Sequence, residues 1–199
     1  MTKQEQDLVY FRTGIQELED YLLSEELYWT LASNRQSAAL SRLTLGGLLM
    51  ALVRLSCLPG TPHDMFLFQD LQDQLAVIRE KRRSVWEQKV TREIGARLDL
   101  WRNYLEDYQQ FPEKHYDAYQ QEVRWRVMLQ LLEREISSPF PEEAILQALD
   151  EMLHTFLVPG KFIWESVLSK VFERQEYWFL YGNLRAFLDL KGDIHDRST

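Results

Sequence analysis

The segment over residues 64–110 constrains the fold more than any other part of this sequence. It contains no proline and only one glycine, Gly95, and these are the residues that most often interrupt an α-helix. The segment therefore predicts one long helix or two nearly continuous ones. At 1.5 Å per residue, a continuous helix of about 45 residues would be about 67 Å long, which is longer than a compact domain of this size is wide.

The apolar residues of this segment point in two directions, which indicates a joint. With 100° of rotation per residue, Leu71 and Ile78 cluster on one side, whereas Val90 and Ile94 cluster roughly 130° away. The change of direction falls within residues 79–89. Either the helix bends there or its two halves pack against different partners.

Phe111-Pro112 predicts a tight turn, because proline suits the first position of a helix. The next helix, to about residue 136, should fold back antiparallel on residues 90–110. The second half of that helix is apolar on almost every side, so Trp125 is expected in the core. The contacts expected across this turn are those of Leu105 or Tyr108 with Tyr116 or Tyr119.

Further helices are expected on both sides of this hairpin, over residues 13–23, 24–32, 38–58 and 141–157. The Gly46-Gly47 pair either breaks its helix or lets another helix approach closely. No run of alternating apolar and polar residues predicts a pair of strands. The fold class is therefore all-α: an irregular multi-helix bundle with one long, possibly bent, helix over 64–110 and an antiparallel helical hairpin over 90–136. Residues 1–191 are expected to form a single domain and residues 192–199 a polar tail.

Charge and composition favour a cytoplasmic protein. The net charge of −8 argues against general attraction to phosphate backbones or anionic membranes. The single cysteine, Cys57, cannot form an intrachain disulfide, which favours a reducing compartment. We expect no signal peptide, and the most apolar run, residues 43–58, is shorter than the ~20 residues that cross a bilayer.

A basic stretch over residues 79–102 stands out within this acidic chain, with eight basic residues against four acidic ones. Such a stretch could contact a protein partner or nucleic-acid phosphates, or it could be solvated and pair with carboxylates of the same chain. The candidate contacts to a partner or a phosphate are Arg79, Arg82, Arg83 and Lys89.

Aromatic residues are concentrated in the C-terminal part of the chain, where eight of the 25 lie within residues 162–187. They can form ordinary core, a subunit interface or a ligand pocket. The candidate interface or pocket aromatics are Trp164, Tyr177, Trp178 and Tyr181.

Residues with a chemical role are hard to find in this sequence. Glu151-x-x-His154 resembles half of a di-iron motif, but it occurs once, and His154 lies about 160° from the apolar face of its helix. We therefore expect His154 in solvent, no metal site and no cofactor. Cys57 has no histidine near it in sequence, and no nucleophile elbow or phosphate-binding loop is present. The sequence thus favours a protein that is not an enzyme.

These observations favour a non-catalytic helical protein that works in protein–protein interaction or assembly and associates with itself as a homo-oligomer. One alternative is an enzyme or small-ligand-binding protein with a site among the aromatic helices. Tyr104, Tyr119, Glu122 and Arg124 are candidates for such a site. A second alternative is a nucleic-acid-binding protein that uses residues 79–102.

Overall fold

The structure is a computed structural model of the 199-residue chain, and it describes residues 2–31, 42–57, 61–137 and 140–185. The described part of the chain is mostly helical, as expected. The helices are α1 (Lys3–Gln16), α2 (Leu18–Leu23), α3 (Leu45–Cys57), α4 (Pro62–Lys81), α5 (Arg83–Gln110), α6 (Pro112–His115), α7 (Tyr119–Glu122), α8 (Arg124–Glu133) and α9 (Glu143–Phe156). Short 3₁₀ helices span Tyr116–Ala118, Ser166–Lys170 and Trp178–Leu180, and the strands are β1 (Leu157–Phe162) and β2 (Tyr181–Leu184). Over these residues, no helix has the length and apolar character needed to cross a membrane.

The chain divides into two compact units. The first comprises Met1–Ile94 and Met128–Ser138, and the second Gly95–Val127 and Pro139–Thr199. Helices α5 and α8 each contribute residues to both units. The single domain expected over residues 1–191 stays a prediction, and the tail over 192–199 lies outside the described residues.

The N-terminal part of the first unit differs from the sequence prediction. Helix α1 begins at Lys3 rather than Thr13, because Thr2 and Glu5 form a reciprocal capping box that satisfies two backbone N–H groups. Thr13 lies inside the helix, where its hydroxyl donates to the Val9 carbonyl at 2.9 Å. The helix predicted over residues 24–32 is also wrong, since residues 24–31 are not helical and Trp29 pairs with Leu43 in an isolated antiparallel bridge.

The glycine pair lies in the first turn of α3 and does not break it. The Gly46 N–H donates to both carboxylate oxygens of the buried Glu93, at 3.1 Å each. A Cβ atom at residue 46 would lie 2.8 Å from Glu93 Oε1 and 3.2 Å from Met128 Cβ. The sequence left open whether the glycine pair breaks its helix or lets another helix approach closely. At Gly46, the structure shows the close approach.

The segment over 64–110 is two helices rather than one. Helix α4 ends at Lys81 and α5 begins at Arg83, so the break at Arg82 lies within the joint that the turning apolar stripe predicted. Arg82 still donates its backbone N–H to the Ile78 carbonyl at 2.9 Å. Its φ of −113° and ψ of 25° depart from helical values.

The arm after Phe111 is shorter and more broken than expected. The sequence predicted one helix to about residue 136, whereas a 3₁₀ turn and Val123 interrupt it. In the second unit, Tyr104 of α5 stacks with Tyr119 of α7 at 6.5 Å between ring centroids, and its hydroxyl donates to the His115 carbonyl at 3.1 Å. The contacts expected for Leu105 or Tyr108 stay a prediction.

Two strands near the C-terminus correct the expectation of no strand pair. β1 and β2 are antiparallel, with Leu157 opposite Leu184 and a bulge between Pro159 and Phe162. The irregular segments around this ribbon are fixed by side chains that donate to backbone carbonyls. These donors are Tyr119 to Phe179 at 2.6 Å, Trp164 to Gln120 at 2.8 Å and Tyr181 to Phe172 at 2.8 Å.

Candidate protein-binding surface

Helix α4 begins at a strong start signal. Thr61 and Asp64 form a capping box, and Pro62 occupies the first turn. Hydrogen bonds from the Thr61 side chain and backbone lower the pKa of Asp64. The carboxylate therefore stays ionised at the positive end of the helix dipole.

Among the described residues of the first unit, one side of α4 is packed against its neighbours. Leu71 and Leu75 are buried, and the Phe68 ring lies 5.8 Å from that of Phe11 in α1. These contacts seat α4 on α1 along a narrow apolar strip. The strip agrees with the direction that the sequence assigned to Leu71.

The opposite side of α4 exposes large apolar side chains. Phe66 is 80% exposed, Val77 is 65% exposed and Met65 is 63% exposed. Phe66 and Val77 are about three turns apart and differ by roughly 20° around the helix axis. They therefore lie on one line, roughly 16 Å apart along the axis.

Two carboxylates lie between these apolar side chains. Asp70 and Asp73 are exposed and fall within roughly 40° of Phe66 around the axis. The amide of Gln74 donates to Asp70 at 2.8 Å, and that of Gln69 donates to Asp73 at 3.1 Å. We call Phe66, Asp70, Asp73 and Val77 the α4 outer face.

The predicted arginine contacts at the joint are engaged with carboxylates of the same chain. Arg79 pairs with Glu135 at 3.1 Å, and Arg82 pairs with Glu19 at 3.1 Å. Glu19 also accepts from Lys81 at 2.9 Å, and these two donors lower its pKa, with the Lys81 bond the larger cause. Arg83 pairs with Glu87 at 3.1 Å, one helical turn away.

Lys89, the fourth predicted contact, is buried and does not present its ammonium group to a partner. It donates to the carbonyls of Ser24 at 2.8 Å and Glu26 at 2.9 Å, while Arg92 donates to the Glu25 carbonyl at 3.0 Å. Burial is the main cause that lowers the pKa of Lys89. The two cations thus hold three successive carbonyls of the segment that follows α2.

The four predicted aromatics are placed differently from one another. Tyr177 is buried against Phe172, with ring centroids 4.9 Å apart. Trp164, Trp178 and Tyr181 are partly exposed. Trp178 stacks on His154 at 3.7 Å between ring centroids.

His154 is exposed, as its helical phase predicted. Its stacking on Trp178 is a contact that helical phase alone could not indicate. Over the residues that the structure describes, no group of three His, Cys, Asp or Glu side chains is arranged to hold a metal ion.

The side chains proposed for a pocket among the aromatic helices are largely engaged with protein groups. Burial raises the pKa of both Tyr104 and Tyr119, and their hydroxyls donate to backbone carbonyls. Glu122 accepts from Trp125 Nε1 at 2.7 Å, and the Arg124 guanidinium lies 4.2 Å from the Trp125 ring centroid.

Two surface grooves occur in the second unit. One, of about 380 Å³, lies between α9 and α5 and is lined by Ile145, Leu149 and Met152 together with Arg102 and Glu106. The other, of about 400 Å³, lies beside the β-ribbon. The four predicted aromatics are not among the residues that line either groove.

Sequence reasoning missed the α4 outer face although the signal was present. Phe66 and Val77 lie roughly 100–140° away from the stripe of Leu71 and Ile78 when the helix is drawn at 100° per residue. Comparison of the chain with protein-family models, curated proteins and solved structures gave no match.

Proposed function

We propose that this chain is a non-catalytic cytoplasmic protein that works by binding another protein through the α4 outer face. The observation that carries the proposal is the exposure of Phe66, of which 80% is accessible, on the same line as the exposed Val77. Contiguous exposed apolar patches on soluble proteins mark contact surfaces, whereas apolar side chains exposed singly are common. We also propose that the helices form an irregular multi-helix bundle with an antiparallel helical hairpin over 90–136.

The charges on this face define the partner. Asp70 and Asp73 lie between the two apolar side chains, so a partner needs basic groups between two apolar ones. A basic amphipathic helix has that chemistry and fits along an exposed helix. The chain's net charge of −8 also favours approach by a cationic partner.

A second copy of the chain fits this face less well. An antiparallel pair of α4 helices that sets Phe66 against Val77 also sets Asp70 against Asp73, on each side of the two-fold axis at the centre of the contact. Four carboxylates would then crowd a partly desolvated interface, which is unfavourable. Self-association, which the sequence led us to expect, would use another surface.

The experiment is a titration with a synthetic helical peptide that carries two leucines spaced like Phe66 and Val77, with lysines between them. We expect binding to the wild-type chain and at least about tenfold weaker binding to the Phe66→Ser/Val77→Ser variant. Leu23→Ser is the matched control, because Leu23 is 58% exposed on α2 and outside this face. A peptide with glutamates in place of the lysines should not bind.

Three results would overturn the proposal. The first is that the lysine peptide does not bind the wild-type chain. The second is that the Leu23→Ser control loses as much affinity for this peptide as the Phe66→Ser/Val77→Ser variant. The third is that the glutamate peptide binds as tightly as the lysine peptide. Circular dichroism and the melting temperature of each variant show that the fold is retained, because all three side chains lie largely in solvent.

Self-association is tested separately by size-exclusion chromatography with light scattering. A homo-oligomer gives a mass that is a multiple of 23.8 kDa at tens of micromolar protein. A strict monomer at that concentration counts against self-association and leaves the proposed α4 partner untouched.

Nucleic-acid binding through residues 79–102 is an alternative proposal. The ion pairs that the arginines of this stretch form within the chain argue against it. Arg79, Arg82 and Arg83 are neutralised by carboxylates of the same chain, so a phosphate would have to displace them. Affinity for nucleic acid is greatest at low salt, and undetectable binding at ~50 mM salt would end this alternative.

A further inference from the structure

The groove beside the β-ribbon is formed by an irregularity in the pairing of β1 and β2. The register runs from Leu157 opposite Leu184 to Pro159 opposite Gly182, and then shifts before Phe162 meets Tyr181. Residues Gly160 and Lys161 lie in this bulge, which re-aims side chains at the edge of a ribbon. Both strands contribute lining residues to the groove.

Gly182 makes the close approach of the two strands possible. A Cβ atom at this position would collide with the Val158 carbonyl oxygen, and it would lie 3.2 Å from Leu157 Cγ. Backbone atoms of a paired strand cannot move away as the end of a flexible side chain can. A glycine at residue 182 is therefore needed for the two strands to pair as they do.

Arg185, at the end of β2, has its backbone held from two sides. Its N–H donates to the Phe156 carbonyl at 2.9 Å, and its carbonyl accepts from the Tyr108 hydroxyl at 2.7 Å. The half-buried Arg185 side chain lines the same groove as the exposed Lys161. Lys161 and Arg185 thus both line one concave site.

Neutral hydrogen-bonding groups accompany these cations. The Asn183 amide donates to the Tyr116 hydroxyl oxygen at 3.3 Å, which leaves the phenol proton directed to another acceptor. Among the described residues that line the groove, Lys161 and Arg185 carry charge and none is acidic.

The remaining lining side chains are apolar. Val158, Phe162, Ile163 and Leu184 share the groove with Lys161 and Arg185. Its volume of about 400 Å³ lies at the lower end of the range for small-molecule sites, which is roughly 300–1,000 Å³. Apolar walls with a few convergent polar groups are the usual composition of such sites.

We propose that this groove binds a small organic carboxylate with an apolar body. The carboxylate accepts hydrogen bonds from Lys161 and Arg185, and charge-assisted bonds of this kind are the stronger ones. The apolar body lies along Phe162 and Ile163. This site is in the second unit and is independent of the protein-binding proposal for α4.

The test is a calorimetric or NMR titration of the full chain with three probes: hexanoate, hexylammonium and inorganic phosphate. We expect hexanoate to bind, hexylammonium not to bind, and phosphate to bind at least about tenfold more weakly, because it has no apolar body. Phosphate binding as tight as that of hexanoate, or any binding of hexylammonium, would contradict the assignment of a carboxylate with an apolar body.

Variants locate the site. Lys161→Met and Arg185→Met should each weaken hexanoate binding by at least about tenfold, since each removes one charge and keeps the aliphatic stem. Lys170→Met is the matched control, because Lys170 is exposed in the same unit and does not line the groove. If hexanoate fails to bind the wild-type chain, or if the control loses as much affinity as the two groove variants, the proposal is overturned.

Discussion

At the scale of single residues, Gly46 shows how a buried charge is made tolerable. Glu93 has no exposed surface, and its two oxygens accept the Gly46 N–H at the start of α3. The positive end of a helix dipole and an otherwise unpaired backbone N–H both favour a carboxylate at that place. The contact favours a residue without a side chain, because a Cβ atom would lie 2.8 Å from Glu93 Oε1.

Gly46→Ala is therefore expected to destabilise the first unit, although alanine is the better helix former. The methyl group would force Glu93, Met128 and Leu132 apart, and overpacking of this kind costs about 1–3 kcal/mol. Gly95→Ala is the control, since no atom lies within 4 Å of its added Cβ and the change should stabilise α5 by about 0.5–1 kcal/mol. Chemical denaturation measures the change in the free energy of unfolding for both variants. A change of the same sign in the two variants would contradict this explanation.

Trp125 marks the limit of residue-level prediction. Its apolar neighbours in sequence predicted a core position, whereas it is half-buried, with the guanidinium groups of Arg97 at 4.7 Å and Arg124 at 4.2 Å from its ring centroid. Burial lowers the pKa of Arg124. Which cations come to lie over an indole depends on tertiary contacts that helical periodicity does not contain.

Truncation of Trp125 to alanine should cost less than truncation of the fully buried Trp101. We expect about 3–5 kcal/mol for Trp101→Ala, the range for large aromatics in cores, and about 2–3 kcal/mol for Trp125→Ala, which includes the loss of cation–π contacts. Free energies of unfolding from urea titrations show which of the two variants loses more stability. A larger loss at Trp125 would show that the two cations depend on the ring for their own placement.

At the scale of elements, the sequence predicted local patterns well and long-range ones poorly. The break between α4 and α5 at Arg82 was readable because it changes the direction of an apolar stripe. Residues 24–31 carry helix-start signals, yet three of their carbonyls are taken by Lys89 and Arg92, more than 60 positions away. A carbonyl occupied in that way is not available to continue a helix.

The β-ribbon was missed for a similar reason. Val158-Pro159-Gly160 is typical of a helix stop, and its strand partner begins at Tyr181. The α4 outer face, by contrast, was predictable from helical phase alone. The candidate site is therefore the part of the molecule where a closer use of the sequence would have sufficed.

Loss of the Lys89 and Arg92 contacts should loosen the segment after α2. In the Lys89→Met/Arg92→Met variant, the carbonyls of Ser24, Glu25 and Glu26 lose their donors, so the segment opens more often. We expect faster cleavage after Glu25 or Glu26 by a glutamate-specific protease. Arg102→Met is the control, because Arg102 also lies in α5 and pairs with Asp99, one helical turn away, at 3.2 Å. Equal cleavage rates in the two variants would contradict the anchoring role.

At the scale of the whole molecule, the uneven charge of the chain becomes a set of internal pairs at the α4–α5 joint. The Glu19 carboxylate accepts hydrogen bonds from both Lys81 and Arg82, and these bonds lower its pKa. A carboxylate with a lowered pKa in the folded state stabilises the fold above its ordinary pKa. That stability is lost as the pH falls through the lowered value. The contribution is small, because the group is exposed and screened by salt.

Charge exchange at this joint distinguishes internal pairing from partner binding. The Lys81→Glu/Arg82→Glu variant places two carboxylates beside Glu19, so we expect a lower melting temperature at neutral pH and low salt and a smaller difference near pH 3. Adding Glu19→Arg to this double variant restores opposite charges at the joint and should recover most of the lost melting temperature. Glu19→Arg alone should lower the melting temperature. Light scattering on the same samples reports the oligomeric state. If the reversed pair changes the oligomeric state while the melting temperature is unaffected and Glu19→Arg gives no recovery, the cations of the joint contact a partner rather than their own chain.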